Sequence, residues 1–386
     1  MGLEIYSIQF NHDTGNATSD AMTIRRNAAQ TVTLPEWRNG VSVKASDSPA
    51  AYAIGAVGNN TIKIKARFII TTRKPAFPTL PKPPSIQIQA INPPKVFNPL
   101  GDVAPTTVTF NTKGDTGVVT MNVTGHLGSA VRVTNTTWTW QYRLNAKQPW
   151  TTFATTQHRI YVLLQMPGLP WNQIAGGTQL PWTEVLDVTC AWANGASTQI
   201  AAAGLITEHV FALGPGTITY DCPGGGSSHY TIGGNFNCTA FLSRLQGGFG
   251  NGQYVNCTDC GTIVSVFSNS LGCNLWSSRM GYSFGLNPIL GIGSNVWQTA
   301  CGWGGFSYHE VGWTGGCTQN DGVYDACLEV NGSNNPTTGP PFIPVLPKNM
   351  VFGATGAMLY RDRLASVAGR PTCNPQPNTR VQRPVV

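Results

Sequence analysis

Hydrophobic and polar positions alternate with a period of two through much of the first 166 residues. The run from Thr61 to Ile70 reads Thr-Ile-Lys-Ile-Lys-Ala-Arg-Phe-Ile-Ile, as a half-buried strand requires. Residues 3–10 and 41–45 read the same way, with turn signals at Asn39-Gly40 and from Gly58 to Asn60. In 3–10, strict alternation sets Leu3, Ile5, Ser7 and Gln9 against Glu4, Tyr6, Ile8 and Phe10. Alternation returns at Val108 to Phe110, Val118 to Val123, Val131 to Val133, Trp138 to Tyr142 and Ile160 to Leu164. Regular short strands with polar turns predict a sandwich-like β architecture. Between the two β regions, residues 74–105 carry Pro75, Pro78, Pro81, Pro83, Pro84, Pro93, Pro94 and Pro99. Proline cannot donate to a ladder, so this stretch reads as a linker or an extended edge segment.

The pattern changes after residue 175. Asn237 to Leu245 predicts a short helix with Phe241, Leu242 and Leu245 on one face, stopped by Gly247-Gly248. Residues 257–271 predict a buried helix, since Ile263, Val264, Phe267 and Leu271 follow helical spacing and Gly272 stops it. Residues 304–313 and 322–330 read as strands joined by the loop Thr314 to Asp321. The expected fold is therefore multidomain, a β-rich, sandwich-like N-terminal region followed by an α+β domain. Its expected divisions are 1–73 (β-rich), 74–105 (linker), 106–174 (sandwich-like), 175–345 (α+β) and 346–386 (an Arg/Pro-rich tail that wraps the surface or stays mobile).

Composition narrows the setting. Charged residues are only 11%, so Thr, Asn, Ser and Gln supply much of the polar surface. The net charge of +7 owes much to Arg361, Arg363, Arg370, Arg380 and Arg383, read as a solvated basic tail. No lysine-rich run with interleaved aromatics exists, so a nucleic acid partner is not supported. No run of 18 apolar residues exists, so no membrane span is expected. Met1 to Phe10 reads as a strand, and no signal peptide is visible. The ten cysteines all fall at or after residue 190, a density that favours an exported, disulfide-bearing protein. If Cys257 stays free, nine remain and at least one more is unpaired.

Candidate chemistry lies in the same half. Cys257 opens the buried helix, and a thiol at a helix N-terminus faces the positive end of the backbone dipole, which favours the reactive thiolate. Free N–H groups of the first turn can receive an oxyanion. A base and a group to orient it are then needed, and the downstream hairpin offers His309 and Asp325. A hairpin symmetrical about Cys317 sets these two opposite each other, with Cβ atoms about 4.5–5.5 Å apart. A slip of one residue sends them to opposite faces. His229 is the competing base. Trp313 and Trp303 are candidates to line an apolar substrate groove, with core packing as the alternative, and Gln253 is a candidate oxyanion donor. Cys257 and Cys260 also form a C-x-x-C, open to a redox or half-zinc reading; no second such pair appears, and no metal is expected. Cys260 lies nearer the Ile263/Phe267 stripe and reads as buried or bridged.

The segment around Cys257 resembles the nucleophile helix of the transglutaminase-like superfamily, whose bacterial members read roughly Gly-x-Cys-Arg-Asp-x-Ala before an apolar helix ending Leu-Gly. Cys257 matches the nucleophile, Asp259 the acidic residue, Gly261 the small residue, and Leu271-Gly272 the helix end. His309 and Asp325, sixteen residues apart, match the later His and Asp in order. Cys260 stands where the family has an aromatic residue, and the gap from Cys257 to His309 is 52 residues. The resemblance covers about 75 residues around these motifs. It implies a papain-related catalytic domain with a Cys257–His309–Asp325 triad, acting on a protein or peptide amide without a cofactor. The activities it implies are crosslinking, glutamine deamidation or thiol proteolysis, with the β-rich half binding a surface or partner. Two other classes remain open on the residues. One is a non-enzymatic surface or adhesion protein whose cysteines staple a degenerate enzyme fold; the other is a C-x-x-C oxidoreductase.

Overall fold

A computed structural model describes residues 2–10, 21–41, 44–54, 61–71, 85–93, 100–171, 180–337 and 339–386. The turn expected at 58–60 and the prolines at 75–84 and 94–99 lie outside the described residues. The chain is β-rich with few helices and divides into two units, Met1–Met166 and Pro167–Val386. No described helix is long and apolar enough to cross a membrane.

Among its described residues the first unit holds nine strands: Gly2–Phe10 (β1), Trp37–Arg38 (β2), Ala50–Ala53 (β3), Thr61–Thr71 (β4), Ser85–Ile91 (β5), Val103–Thr109 (β6), Asp115–His126 (β7), Arg132–Arg143 (β8) and Thr151–Leu163 (β9). They form one sheet in the order β2-β1-β4-β7-β6-β5-β8-β9-β3. The sheet curls so that its ends pack face to face. Phe10 of β1 lies 6.3 Å from the Tyr52 ring, 6.2 Å from Trp138 and 5.5 Å from His158. Phe68 of β4 lies 5.6 Å from Trp140 of β8.

Two local readings change. In β1 a bulge between Ile5 and Ser7 shifts the phase, so Leu3, Ile5, Ile8 and Phe10 are all buried where strict alternation splits them. Within the proline-rich stretch, Ser85–Ile91 is an interior strand between β6 and β8, neither linker nor edge. Its prolines flank the alternating run, and Pro105 sits where the β5–β6 register shifts.

Among its described residues the second unit carries four helices of eight residues or more: Thr183–Trp192 (α1), Gln199–Phe211 (α2), Cys238–Leu245 (α3) and Cys257–Ser270 (α4). A short fifth, Tyr360–Leu364 (α5), follows. The hydrophobic spacing anticipates α3 and α4 but not α1 and α2. Every residue of α4 is buried, and α1 and α2 pack against it. Apart from Ser268, its polar side chains find partners: Thr262 receives Arg383 at 2.8 Å, and Asn269 binds the Leu169 and Leu275 carbonyls at 2.8 and 2.9 Å. A five-stranded antiparallel sheet backs the helix in the order Lys348–Val351, Gly322–Tyr324, His309–Trp313, Trp276–Met280, Pro375–Val381.

Residues 346–386 thus supply two strands and α5 to this unit rather than a mobile tail. Their arginines are structural. Arg383 lies 2.6 Å from Glu310, Arg363 donates to the Asn331 and Ser333 carbonyls, and Arg380 stacks on Trp276 at 4.3 Å.

Helix α4 and the strand His309–Trp313 touch through glycines. A Cβ at Gly261 would lie 3.0 Å from Val311 Cα and 3.1 Å from the Glu310 carbonyl oxygen. At Gly312 it would lie 3.2 Å from Val264 Cγ1. Gly261→Ala should therefore destabilise the fold by ~1–3 kcal/mol through overpacking, overriding a helix-propensity gain of ~1 kcal/mol. Chemical denaturation is the measurement, and an equal or higher midpoint would show that this contact is loose.

Candidate active site

The start of α4 is fixed by a reciprocal cap. The Asn256 side chain accepts from Asp259 N at 3.0 Å, and the Asp259 carboxyl reaches back to Asn256 N at 3.3 Å. Asp259 also receives the backbone N–H groups of His229, Tyr230 and Thr231 at 2.8, 3.0 and 2.7 Å. This locks Cys257 at the first helical position, where N–H groups lack intrahelical acceptors. The thiol is free, and the residue is 5% exposed.

His309 begins the strand that α4 packs on. Its Nε2 lies 2.9 Å from Asp325 Oδ2, with both side chains buried. The Phe306 ring stacks on the imidazole at 5.2 Å and 9°. Asp325 is itself held on all sides. Its Oδ1 accepts from Cys327 N at 2.8 Å, its Oδ2 also accepts from Tyr360 Oη–H at 2.7 Å, and its own N–H donates to the Pro347 carbonyl. Burial alone would depress the imidazole. The charge and hydrogen bond of Asp325, together with Cys257, outweigh it and push His309 up to about 10. With Nε2 engaged, Nδ1 is the open ring nitrogen; it makes no hydrogen bond of ordinary geometry. The Cys257 thiol is near enough to the ring to help raise it.

The structure brings His309 and Asp325 together by a route different from the expected one. The hairpin pairs Gly312 with Tyr324 and Trp313 with Val323, so its centre is at 318 rather than Cys317. Extended, that register sets 309 opposite 327, and Asp325 becomes a diagonal neighbour two residues along. The ladder ends at Tyr324, and the chain bends so that the carboxylate reaches the ring. The strands expected at 304–313 and 322–330 are correspondingly broken, into Gly305–Phe306 and His309–Trp313, and into Gly322–Tyr324 and Leu328–Asn331.

Other expected positions fare differently. Trp313 is fully buried, stacks near Phe352 at 5.2 Å and donates to the Ser278 carbonyl, so it belongs to the core and lines no groove. Trp303 is half-buried and meets Tyr220 edge-on at 6.4 Å. Gln253 is exposed, and its side chain has no hydrogen-bond partner among the described residues. His229 pairs with Asp221 at 3.1 Å. Cys260 is buried and free, with Cys327 as its neighbour. A hydrogen bond with Cys327 favours the Cys260 thiolate, but burial and nearby negative groups prevail and push the thiol up.

Cys222 and Cys301 form a disulfide, and Cys238, Cys257, Cys260, Cys273, Cys317, Cys327 and Cys373 are free and buried. Among the described residues no group of three His, Cys, Asp or Glu side chains is arranged to hold a metal. A cavity of about 70 Å³ lies beside the dyad, lined by the disulfide and by Tyr220, Ile292, Phe306, Cys327 and Leu328. Tyr360 is the site residue that pattern reading misses. It lies in a stretch read as tail, and no local signal ties it to a carboxylate 35 residues earlier.

No family model matches the chain, and no curated protein matches it. Among solved structures, red sea bream transglutaminase aligns over 71% of this chain and 49% of its own, with 10% identity and a TM-score of 0.38. The chain thus spans about half the length of that transglutaminase, and a likeness this loose assigns neither fold nor activity.

The raised imidazole makes a pH prediction. A group raised in the folded state contributes stability that is complete below its unfolded pKa, ~6.5, and is lost as pH climbs through the folded value. With His309 near 10, the unfolding free energy should fall between about pH 6.5 and 10. Asp325→Asn should flatten that fall, as read from denaturation midpoints across the range. An identical slope in the variant would mean that the pair does not hold the proton.

Proposed function

We propose that Cys257, His309 and Asp325 act as the nucleophile, base and orienting acid of a cysteine acyltransferase or hydrolase working on amides. The observation that supports this reading most is the buried His309–Asp325 pair at 2.9 Å beside a free thiol at a helix N-terminus. Asp325 on Nε2 leaves His309 Nδ1 to hold the thiol proton, so the raised imidazole stands as the imidazolium beside the sulfur. The sulfur attacks the amide carbon, and the oxyanion that forms meets the unpaired N–H groups of the first turn of α4. Collapse breaks the C–N bond, the amine leaves with the proton from His309, and a thioester remains. Water or an amine then attacks this thioester, with His309 as base, and frees Cys257. Tyr360 is a positioning residue. Burial and the Asp325 carboxylate hold its phenol well above its ordinary value, so it stays an O–H donor to Asp325.

The test is alkylation. At pH 6 an ordinary thiol of pKa ~8.5 is almost wholly protonated, so Cys257 should react with iodoacetamide more than about tenfold faster than a model thiol. His309→Gln should remove the advantage, and Cys260→Ser should preserve it. A rate no greater than that of the model thiol would sink the proposal, and loss on Cys260→Ser would favour a redox pair. For turnover of an amide donor, Tyr360→Phe should lower kcat by roughly tenfold, since one hydrogen bond to a charged group is worth about 1.5 kcal/mol.

A further inference from the structure

Glu310 follows His309 and is 1% exposed. Its Oε1 receives Arg383 Nη1 at 2.6 Å and Ser277 Oγ at 2.7 Å. Its Oε2 receives Thr258 Oγ1 at 3.1 Å and Arg279 Nε at 3.4 Å. Burial would raise this carboxyl, but Arg383 and the hydroxyl donors hold it below its ordinary range, so it is ionised. One negative charge therefore serves two positive ones. Arg383 is the closer and the more enclosed, with a side chain only 10% exposed, and it also donates to Thr262 and Ser277.

Arg279 is left with charge to spare. Its side chain is 41% exposed, and only Nε is engaged with Glu310. The guanidinium lies over the Tyr308 ring at 4.2 Å, which fixes its plane. Its two Nη groups have no hydrogen-bond partner among the described residues. The Tyr308 hydroxyl is 3.3 Å from Thr258 Oγ1. Thr258 directly follows Cys257, and Tyr308 directly precedes His309. A planar, held, two-pronged donor edge thus stands over Tyr308 and against the carboxylate that binds Thr258, the chain neighbours of the base and the nucleophile. That geometry matches a carboxylate, which accepts two parallel N–H bonds.

We infer that Arg279 is a specificity residue that binds an acidic side chain flanking the reactive amide of the acyl donor. The role as donor rests on Cys257 being the nucleophile; the binding itself does not. The Glu310–Arg383 pair beneath carries the other half of the charge, which leaves the outer guanidinium to the substrate.

A catalysis-free measurement separates the two claims. Two fluorescent peptides, identical except for Glu or Gln two residues on either side of a central glutamine, are titrated into Cys257→Ala and followed by anisotropy. The acidic peptide should bind roughly tenfold tighter, as a charge-assisted bidentate contact implies. The preference should shrink as salt rises. Arg279→Gln on the same background should abolish it, and Arg279→Lys, which keeps the charge but not the fork, should keep only part. Equal binding of the two peptides, no binding of either, or a preference that survives Arg279→Gln overturns the inference. Should the Gln variant unfold, the Lys variant and the salt dependence decide the case. Failure here leaves the alkylation behaviour of Cys257 untouched, and slow alkylation leaves this binding result standing.

Discussion

Helix α4 and the strand His309–Trp313 can approach only because glycine stands at 261 and 312. Room for a side chain is lacking at both points, with Val311 Cα 3.0 Å from a would-be Cβ at 261. The thiol and the imidazole lie at the starts of these two elements, so their separation is set by backbone packing. Flexible side chains could not hold that distance as closely. The cap at Asn256 and Asp259 then fixes where the helix begins, and with it where the sulfur sits.

Neighbouring residues on a strand point to opposite sides, and the pair 309–310 uses this fully. On one side, the imidazole is enclosed by Phe306 and steadied by Asp325, which Tyr360 and the Cys327 amide anchor in turn. On the other, Glu310 is neutralised by arginine and bound to the hydroxyl of Thr258, one residue past the thiol. Two buried carboxylates thus brace the site from two directions. Each is tolerable because every one is hydrogen-bonded and charge-paired; a lone buried carboxylate would carry a large desolvation cost.

Much of this was readable from the residues alone, for identifiable reasons. Helix α4 announces itself by Ile263, Val264 and Phe267 at helical spacing, and β4 and β8 by plain alternation. Spacing also singles out Cys257, His309 and Asp325, two of which the fold joins directly. What escaped depends on distance in sequence or on local irregularity. The bulge in β1 reverses a face without leaving a composition signal. Prolines at 83, 84, 93 and 94 disguise β5, although they only flank it. Helix α2, rich in Ala and small residues, has no marked apolar face, because it is covered on several sides. Tyr360, Arg279 and Arg383 act through partners 31 to 121 residues away, and no window of sequence contains such a pair.

The seating of Arg383 has a consequence for how the second unit assembles. Glu310 lies inside the protein, yet its tightest counter-charge arrives 73 positions later (383 − 310), and Thr262 waits 121 for the same side chain. On a ribosome, a helix and sheet formed as soon as residue 330 emerged would leave the buried carboxylate with Arg279, its more distant and more exposed partner, as the counter-charge in place of Arg383. Vectorial folding is therefore disfavoured, and the unit closes late and cooperatively, with the slow kinetics typical of chains whose decisive contacts are far apart.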